Sequence, residues 1–111
     1  MKYCFALDLI DDPYLIGDYE YWHQHVWPEI TQSIREAGIL QLEIYRVFNR
    51  LFMIMETDSS FSFDRKKEMD EQNEMVQTWE KVMWNFQQKL PGAAEGEKWV
   101  RMNKIFDLRN A

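Results

Sequence analysis

The sequence predicts an α+β fold of element order β-α-β-β-α-β, one antiparallel sheet with both helices on one face, and three patterns in its 111 residues predict it. Apolar and polar residues alternate over residues 2–9 and 40–45, apolar residues recur at spacings of three and four over 13–37 and again from Met75, and Gly, Pro or Asn-Arg marks the changes of period. The order is the split βαβ, or ferredoxin-like, arrangement, and the length suits a single domain over residues 1–111.

The first strand puts Tyr3, Phe5, Leu7 and Leu9 on one face and Lys2, Cys4, Ala6 and Asp8 on the other. Asp12 is a helix N-cap followed by Pro13, whose missing N–H costs nothing at the first helical position. Helical periodicity then runs to Ala37, where Gly38 ends it. Within this run Pro28 cannot donate to the carbonyl of Gln24 and drives Trp27 from helical dihedrals, so a kink or break is predicted near residues 24–28. Leu40, Leu42 and Ile44 alternate with Gln41, Glu43 and Tyr45, and an Asn49-Arg50 turn leads into Leu51–Glu56, a β-hairpin whose second strand is apolar on both faces. Residues 64–74 are too charged for core and read as one or two solvated helical turns. Met75, Val76, Trp79, Val82, Met83, Phe86 and Leu90 form the stripe of a second long helix that Pro91-Gly92 stops. After a polar loop, Val100, Met102, Phe106 and Leu108 share one face of a last strand.

Helices on one face leave the other to be covered. An open side carrying Phe5, Tyr45, Met53 or their neighbours exceeds the apolar patch a monomer usually exposes, so a second copy of the chain, a ligand cavity, or both are predicted. An aromatic share of 15% supports such a surface. The net charge of −6 argues against nucleic acid, whose binders concentrate Lys and Arg. No run of about 18 apolar residues marks a membrane span, and the early Asp8 excludes a signal-peptide apolar region at the start, so the chain reads as cytoplasmic. Cys4 is the single cysteine and, within an apolar run, reads as a buried, inert thiol.

The richest stretch for chemistry is Tyr19 to Glu29, which holds both histidines. Leu15, Trp22, Val26, Ile30 and Ile34 already supply a core-facing stripe, which leaves Tyr19, His23 and Trp27 at i, i+4 and i+8 along one edge of the helix. His23 is thus flanked by aromatics and titrates near neutral pH, which makes it a candidate proton carrier. A structural or exposed imidazole is the alternative reading. His23-x-His25 splays its rings to different sides of a helix and has no third ligand nearby, so no metal site is predicted. The break at Pro28 either joins two helical segments end to end or turns His23 and Trp27 toward a cavity. Aromatic faces suit the C–H face of a sugar, and Tyr19, Trp27, Trp79, Trp84 and Trp99 are candidates. Trp79 lies on the core stripe of its helix and Trp84 one position off it, toward a rim; Lys98 and Trp99 either reach a pocket or pack at the start of the last strand. No phosphate-binding loop, nucleophile elbow or dinucleotide fingerprint is present.

The opening strand, Tyr19-x-x-x-His23, Val26-Trp27-Pro28-Glu29, Ile44-Tyr45 with its hairpin, and Gln77-Thr78-Trp79-Glu80-Lys81-x-Met83 resemble the L-rhamnose mutarotase family over nearly the whole chain. The resemblance implies a dimeric ferredoxin-like α/β barrel that interconverts the α and β anomers of a deoxy sugar without a cofactor. It makes His23 the proton donor and Tyr19 a substrate-binding residue. Of a family Trp pair on the second helix, Trp79 matches the first member and Glu80 stands in place of the second; Leu42 stands where the rhamnose enzymes have a substrate-contacting Tyr. These changes leave L-rhamnose and L-fucose both open as the substrate.

Anomer exchange protonates the ring oxygen and takes the proton from the anomeric hydroxyl, so the ring opens, rotates and recloses. On this reading His23 is the acid, Tyr19 orients a hydroxyl, and Glu29 or Glu80 handles the other proton. Two other classes fit the same pattern: a cofactor-free monooxygenase, by analogy of fold alone, and a non-catalytic sugar-binding module.

Overall fold

The strand alternation over residues 2–9 becomes β1, Lys2–Leu9, and a computed structural model, which describes residues 1–110, puts this strand inside the sheet. The remaining elements are α1 (Pro13–Gln24), α2 (Pro28–Glu36), β2 (Ile39–Val47), β3 (Arg50–Thr57), α3 (Phe63–Glu71), α4 (Glu74–Trp84), β4 (Gln87–Gln88), β5 (Val100–Arg101) and a 3₁₀ turn at Leu108–Asn110. All strand pairs are antiparallel and the sheet order is β2-β3-β1-β4, with β5 also on β1. This is the α+β, ferredoxin-like arrangement, and within one chain the sheet is open rather than closed into a barrel.

Local chemistry sets the helix ends. The Asp12 carboxylate accepts from the backbone N–H groups of Tyr14 and Leu15 at 2.9 and 3.1 Å, satisfying donors that the first turn leaves free. Pro28 divides the long helix as its chemistry requires: Trp27 is extended, at φ −61° and ψ 138°, and its carbonyl accepts from Ile30 to start α2. At the other end of α2 the Arg65 guanidinium donates to the carbonyls of Glu36 and Ala37, both at 3.2 Å, and Gly38 turns the chain at φ 94°.

Odd-numbered residues of β1 face the helices. Leu7 and Leu9 are fully buried, and two connected cores form: one joins Leu9, Leu51, Ile30 and Trp79, the other Phe5, Ala37, Ile39 and Met55. Burial of each such side chain contributes about 1.5–3 kcal/mol.

Several expectations are corrected here. Phe5 and Met53 belong to the helix side of the sheet; the register puts Cys4, Ala6, Phe52, Ile54 and Tyr45 on the other face, where Tyr45 is exposed and the Cys4 thiol only half-buried. The hairpin turns at Phe48-Asn49, one residue earlier than predicted, with Phe48 at φ 53°. The charged stretch 64–74 does hold solvated helical turns, those of the capped helix α3, and the next helix starts afresh on an Asn73 cap. That helix ends at Trp84: Phe86 leaves the helical path because its carbonyl accepts from Ile10 and the following residues pair with β1. Pairing with a sheet edge has overridden the helical period. The last strand is only Val100–Arg101, and its pairing with β1 ends at the bond from the Met102 N–H to the Cys4 carbonyl. Met102, Phe106 and Leu108 are consequently exposed. The fourth strand of the ferredoxin pattern is thus split into β4 and β5 by an excursion over residues 89–99.

Candidate active site

Between the sheet and α1, α2 and α4 lies a cavity of about 580 Å³, within the range of small-molecule sites. Its floor is apolar side chains of β2 and β3, including Leu42, Ile44, Met53 and Met55, and its walls include Tyr19, His23, Trp79, Glu80, Gln87 and Trp99. The excursion between β4 and β5 delivers Lys98 and Trp99 to the same space.

His23 is held on two sides. Its ring stacks on Tyr19 with centroids 4.3 Å apart and meets Trp79 edge-on at 5.9 Å. Its Nδ1 lies 2.9 Å from the carbonyl oxygen of Tyr19; a carbonyl only accepts, so Nδ1 carries the hydrogen and the neutral ring keeps its lone pair on Nε2. Burial pulls the His23 pKa below its ordinary 6.5, and the bond to the Tyr19 carbonyl offsets only part of that shift. At neutral pH the imidazole is therefore uncharged and ready to accept a proton.

Tyr19 belongs to core and cavity at once. It is 3% exposed, packs edge-on against Phe86, and its hydroxyl oxygen accepts from Gln87 Nε2 at 3.4 Å, which leaves the phenolic hydrogen available to another acceptor. Desolvation pushes its pKa up to about 12, so the hydroxyl stays protonated through the neutral range.

The sequence-derived candidates separate into two groups. Tyr19, His23, Trp79, Glu80, Leu42, Lys98 and Trp99 line the cavity. Trp27 does not; it packs edge-on against Trp22 and Trp79, bracing the wall from behind. Glu29 is exposed on the first turn of α2 and is absent from the lining, so of the two proposed carboxylates only Glu80 shares the cavity with His23. Trp84 also stands outside the cavity, with the Lys98 ammonium 5.1 Å from its ring. His25 is exposed and bonds back to the Tyr21 carbonyl. Sequence reasoning missed Gln87, which the expected helix had absorbed, and the Lys66–Asp70 pair of α3, whose two members line the cavity from within a run that reads as solvated. Their spacing of four residues was the available signal.

A buried neutral imidazole, a protonated phenol and a carboxylate on aromatic and apolar walls define a small-molecule site equipped for proton transfer, carried on a ferredoxin-like α+β scaffold. Residues 2–108 match the family model described as L-rhamnose mutarotase. An L-fucose mutarotase of Xanthomonas campestris pv. campestris is 44% identical over 112 residues, covering 99% of this chain and 90% of the relative. Among solved structures, the L-rhamnose mutarotase of Formosa agariphila superposes with a TM-score of 0.72 at 19% identity, covering 97% of this chain and 98% of that one. A dimeric ferredoxin-like protein from an uncultured marine organism gives 0.57 at 14% identity, over 96% and 90%. The chain belongs to the L-rhamnose mutarotase family, and with it to the isomerases that interconvert sugar anomers.

Proposed function

We propose that the protein interconverts the α and β anomers of L-fucose, with L-rhamnose as a poorer substrate, by proton transfer at His23. The observation that carries the chemistry is the neutral imidazole fixed by its Nδ1–H bond to Tyr19, with Nε2 left to the ligand. The preference for L-fucose is supported by the relative at 44% identity that bears that activity and by Leu42 on the cavity wall in place of a tyrosine.

In the ring-opening step Nε2 accepts the proton of the anomeric hydroxyl as the bond from the anomeric carbon to the ring oxygen breaks, and the imidazolium so formed gives that proton to the ring oxygen. The open aldehyde turns about its bond to the next carbon and closes on the other face, with both transfers reversed. Because His23 starts neutral, it acts first as a base, the reverse of the donor role that the family resemblance gives it; once protonated it is the donor to the ring oxygen. Glu80 is the carboxylate within the cavity that supports transfer at the ring oxygen, and the Tyr19 hydroxyl donates a hydrogen bond that orients the sugar. The ring face packs on Trp79 and the C6 methyl on the methionine floor.

The sheet face bearing Cys4, Ala6, Phe52, Ile54 and Tyr45 fits cover by a second copy of the chain, so we read the working unit as a homodimer. Among the described residues no helix is long and apolar enough to cross a membrane, and a cytoplasmic setting is our reading. Saturation transfer between the α and β anomeric proton signals of L-fucose and L-rhamnose tests the activity. Catalysed exchange that is faster for L-fucose is expected. Binding of either sugar with no gain in exchange, or oxygen uptake with a quinol in its place, would sink the reading.

A further inference from the structure

The α3 helix has no buried residue, yet Lys66 and Asp70 form an ion pair at 2.5 Å with side chains only 28% and 18% exposed. Among the described residues the two other lysine–carboxylate pairs are more open, at 45% and 101% for Lys89–Glu95 and 68% and 28% for Lys104–Asp107. Lys66 and Asp70 both line the cavity, and both also line a shallow groove running along α3, as does Glu80. They therefore stand where cavity and groove meet. Gln77 of α4 donates to the Asp70 carbonyl at 2.8 Å and fixes that end of α3, while Trp79, on the same helix, meets His23 of α1. The α4 helix thus bridges the charged pair on one side and the imidazole on the other.

The cavity also holds the polar side chains of Arg35, Gln41, Glu80 and Lys98, but Lys66 and Asp70 are the two lining side chains joined as an ion pair. The Ser33 hydroxyl donates to the Ile30 carbonyl, that of Thr31 to the Pro28 carbonyl, and Gln87 Nε2 to the Tyr19 hydroxyl, so each has one donor hydrogen already engaged. The floor is apolar. An ammonium and a carboxylate in contact present a donor and an acceptor side by side, the pattern that two vicinal hydroxyls satisfy with charge-assisted bonds. We propose that Lys66 and Asp70 are specificity-determining residues that bind the C3 and C4 hydroxyls of the sugar, the vicinal pair farthest from the anomeric carbon handled by His23. L-fucose and L-rhamnose differ in configuration at C2 and C4, so a pair that reads the C4 hydroxyl discriminates between them. This inference rests on the mutarotase reading of the same cavity.

The test measures KM and kcat for anomer exchange with Lys66→Gln, Asp70→Asn and the charge swap Lys66→Asp with Asp70→Lys, on L-fucose and on its 2-, 3- and 4-deoxy analogues. Each single variant is expected to raise KM for L-fucose about tenfold, as loss of a charge-assisted hydrogen bond does, and to leave kcat within about twofold. The penalty should vanish for the 3-deoxy or 4-deoxy sugar and persist for the 2-deoxy sugar, and the swapped pair should not restore KM. A KM that is unchanged, a penalty equal on every analogue, or full rescue by the swap would overturn the assignment while leaving wild-type exchange, and so the activity, in place. Failure of the wild-type protein to exchange any of these sugars would overturn both.

Discussion

Replacing His23 with Ala isolates the proposed chemistry, because the structure separates what the ring does for catalysis from what it does for stability. The imidazole supplies one hydrogen bond to the Tyr19 carbonyl and a half-buried stack on Tyr19, together worth about 1–2 kcal/mol, against a typical total of about 5–15 kcal/mol. The variant should fold. General acid–base catalysis contributes about two to four powers of ten, so the barrier should rise by about 3–5 kcal/mol and exchange fall by that factor. The pH dependence supplies the sharper test. Burial holds the folded-state pKa of His23 below 6.5, and the neutral form is the active one, so wild-type kcat/KM should rise with pH through that lowered value and level off by about pH 6.5. Stability follows the same sense: the unfolded imidazole takes its proton first, so the contribution of neutral His23 is complete above about 6.5 and is lost as pH falls toward the folded value. Saturation transfer across pH 4.5–8, with urea unfolding alongside, reads both. A variant that keeps more than about a tenth of wild-type exchange, or a wild-type limb centred above 6.5, would refute the assignment.

Tyr19 gives the opposite sign at alkaline pH. Its pKa is raised to about 12 from 10.0, so its contribution is complete below about pH 10 and up to about 3 kcal/mol is lost as pH climbs toward 12; Tyr19→Phe should flatten this part of the urea-unfolding profile, and an unchanged slope would contradict the burial argument. Gly38→Ala should destabilise the fold by about 1–3 kcal/mol in the same assay, because at φ 94° a Cβ would sit 2.5 Å from Asp58 Oδ1 and 2.7 Å from Ser60 Oγ; a variant as stable as wild type would show that this turn tolerates a side chain.

What the sequence made legible was whatever rests on local chemistry. Asp12-Pro13, the break at Pro28 and the stop at Gly38 each follow from the N–H a residue has or lacks and the φ it prefers, and all three stand in the structure. The alternation of β1 and the core stripe of Trp22, Val26, Ile30 and Ile34 also held, because one-sided burial forces a period. The errors fall where a distant partner decides. Phe86 matches the helical stripe of α4 perfectly well and leaves it only because the edge of β1 is free to pair there. Residues 102–108 alternate like a strand, but the register of β5 on β1 carries those from 105 onward past the start of β1. The sidedness of Phe5 and Met53 depended on knowing which face the helices cover, which the alternation alone leaves ambiguous.

The cavity residues expose a deeper reason for partial legibility. Tyr19 reads as surplus to the core stripe, yet it is among the most buried side chains and simultaneously a wall of the cavity. Binary patterning sorts residues into core and surface and has no class for a side chain whose ring is core and whose hydroxyl is site. The double assignment has a physical purpose. Phe86, packed edge-on at 6.3 Å, helps to fix the Tyr19 ring, the Tyr19 ring and carbonyl fix His23, and Trp79, itself braced by Trp27 at 5.1 Å, closes the other side. The imidazole is therefore oriented by the hydrophobic core and needs no carboxylate to hold its tautomer. Loss of packing at Phe86 or Trp27 should reach the reaction through this chain of contacts, although neither residue is part of the cavity lining.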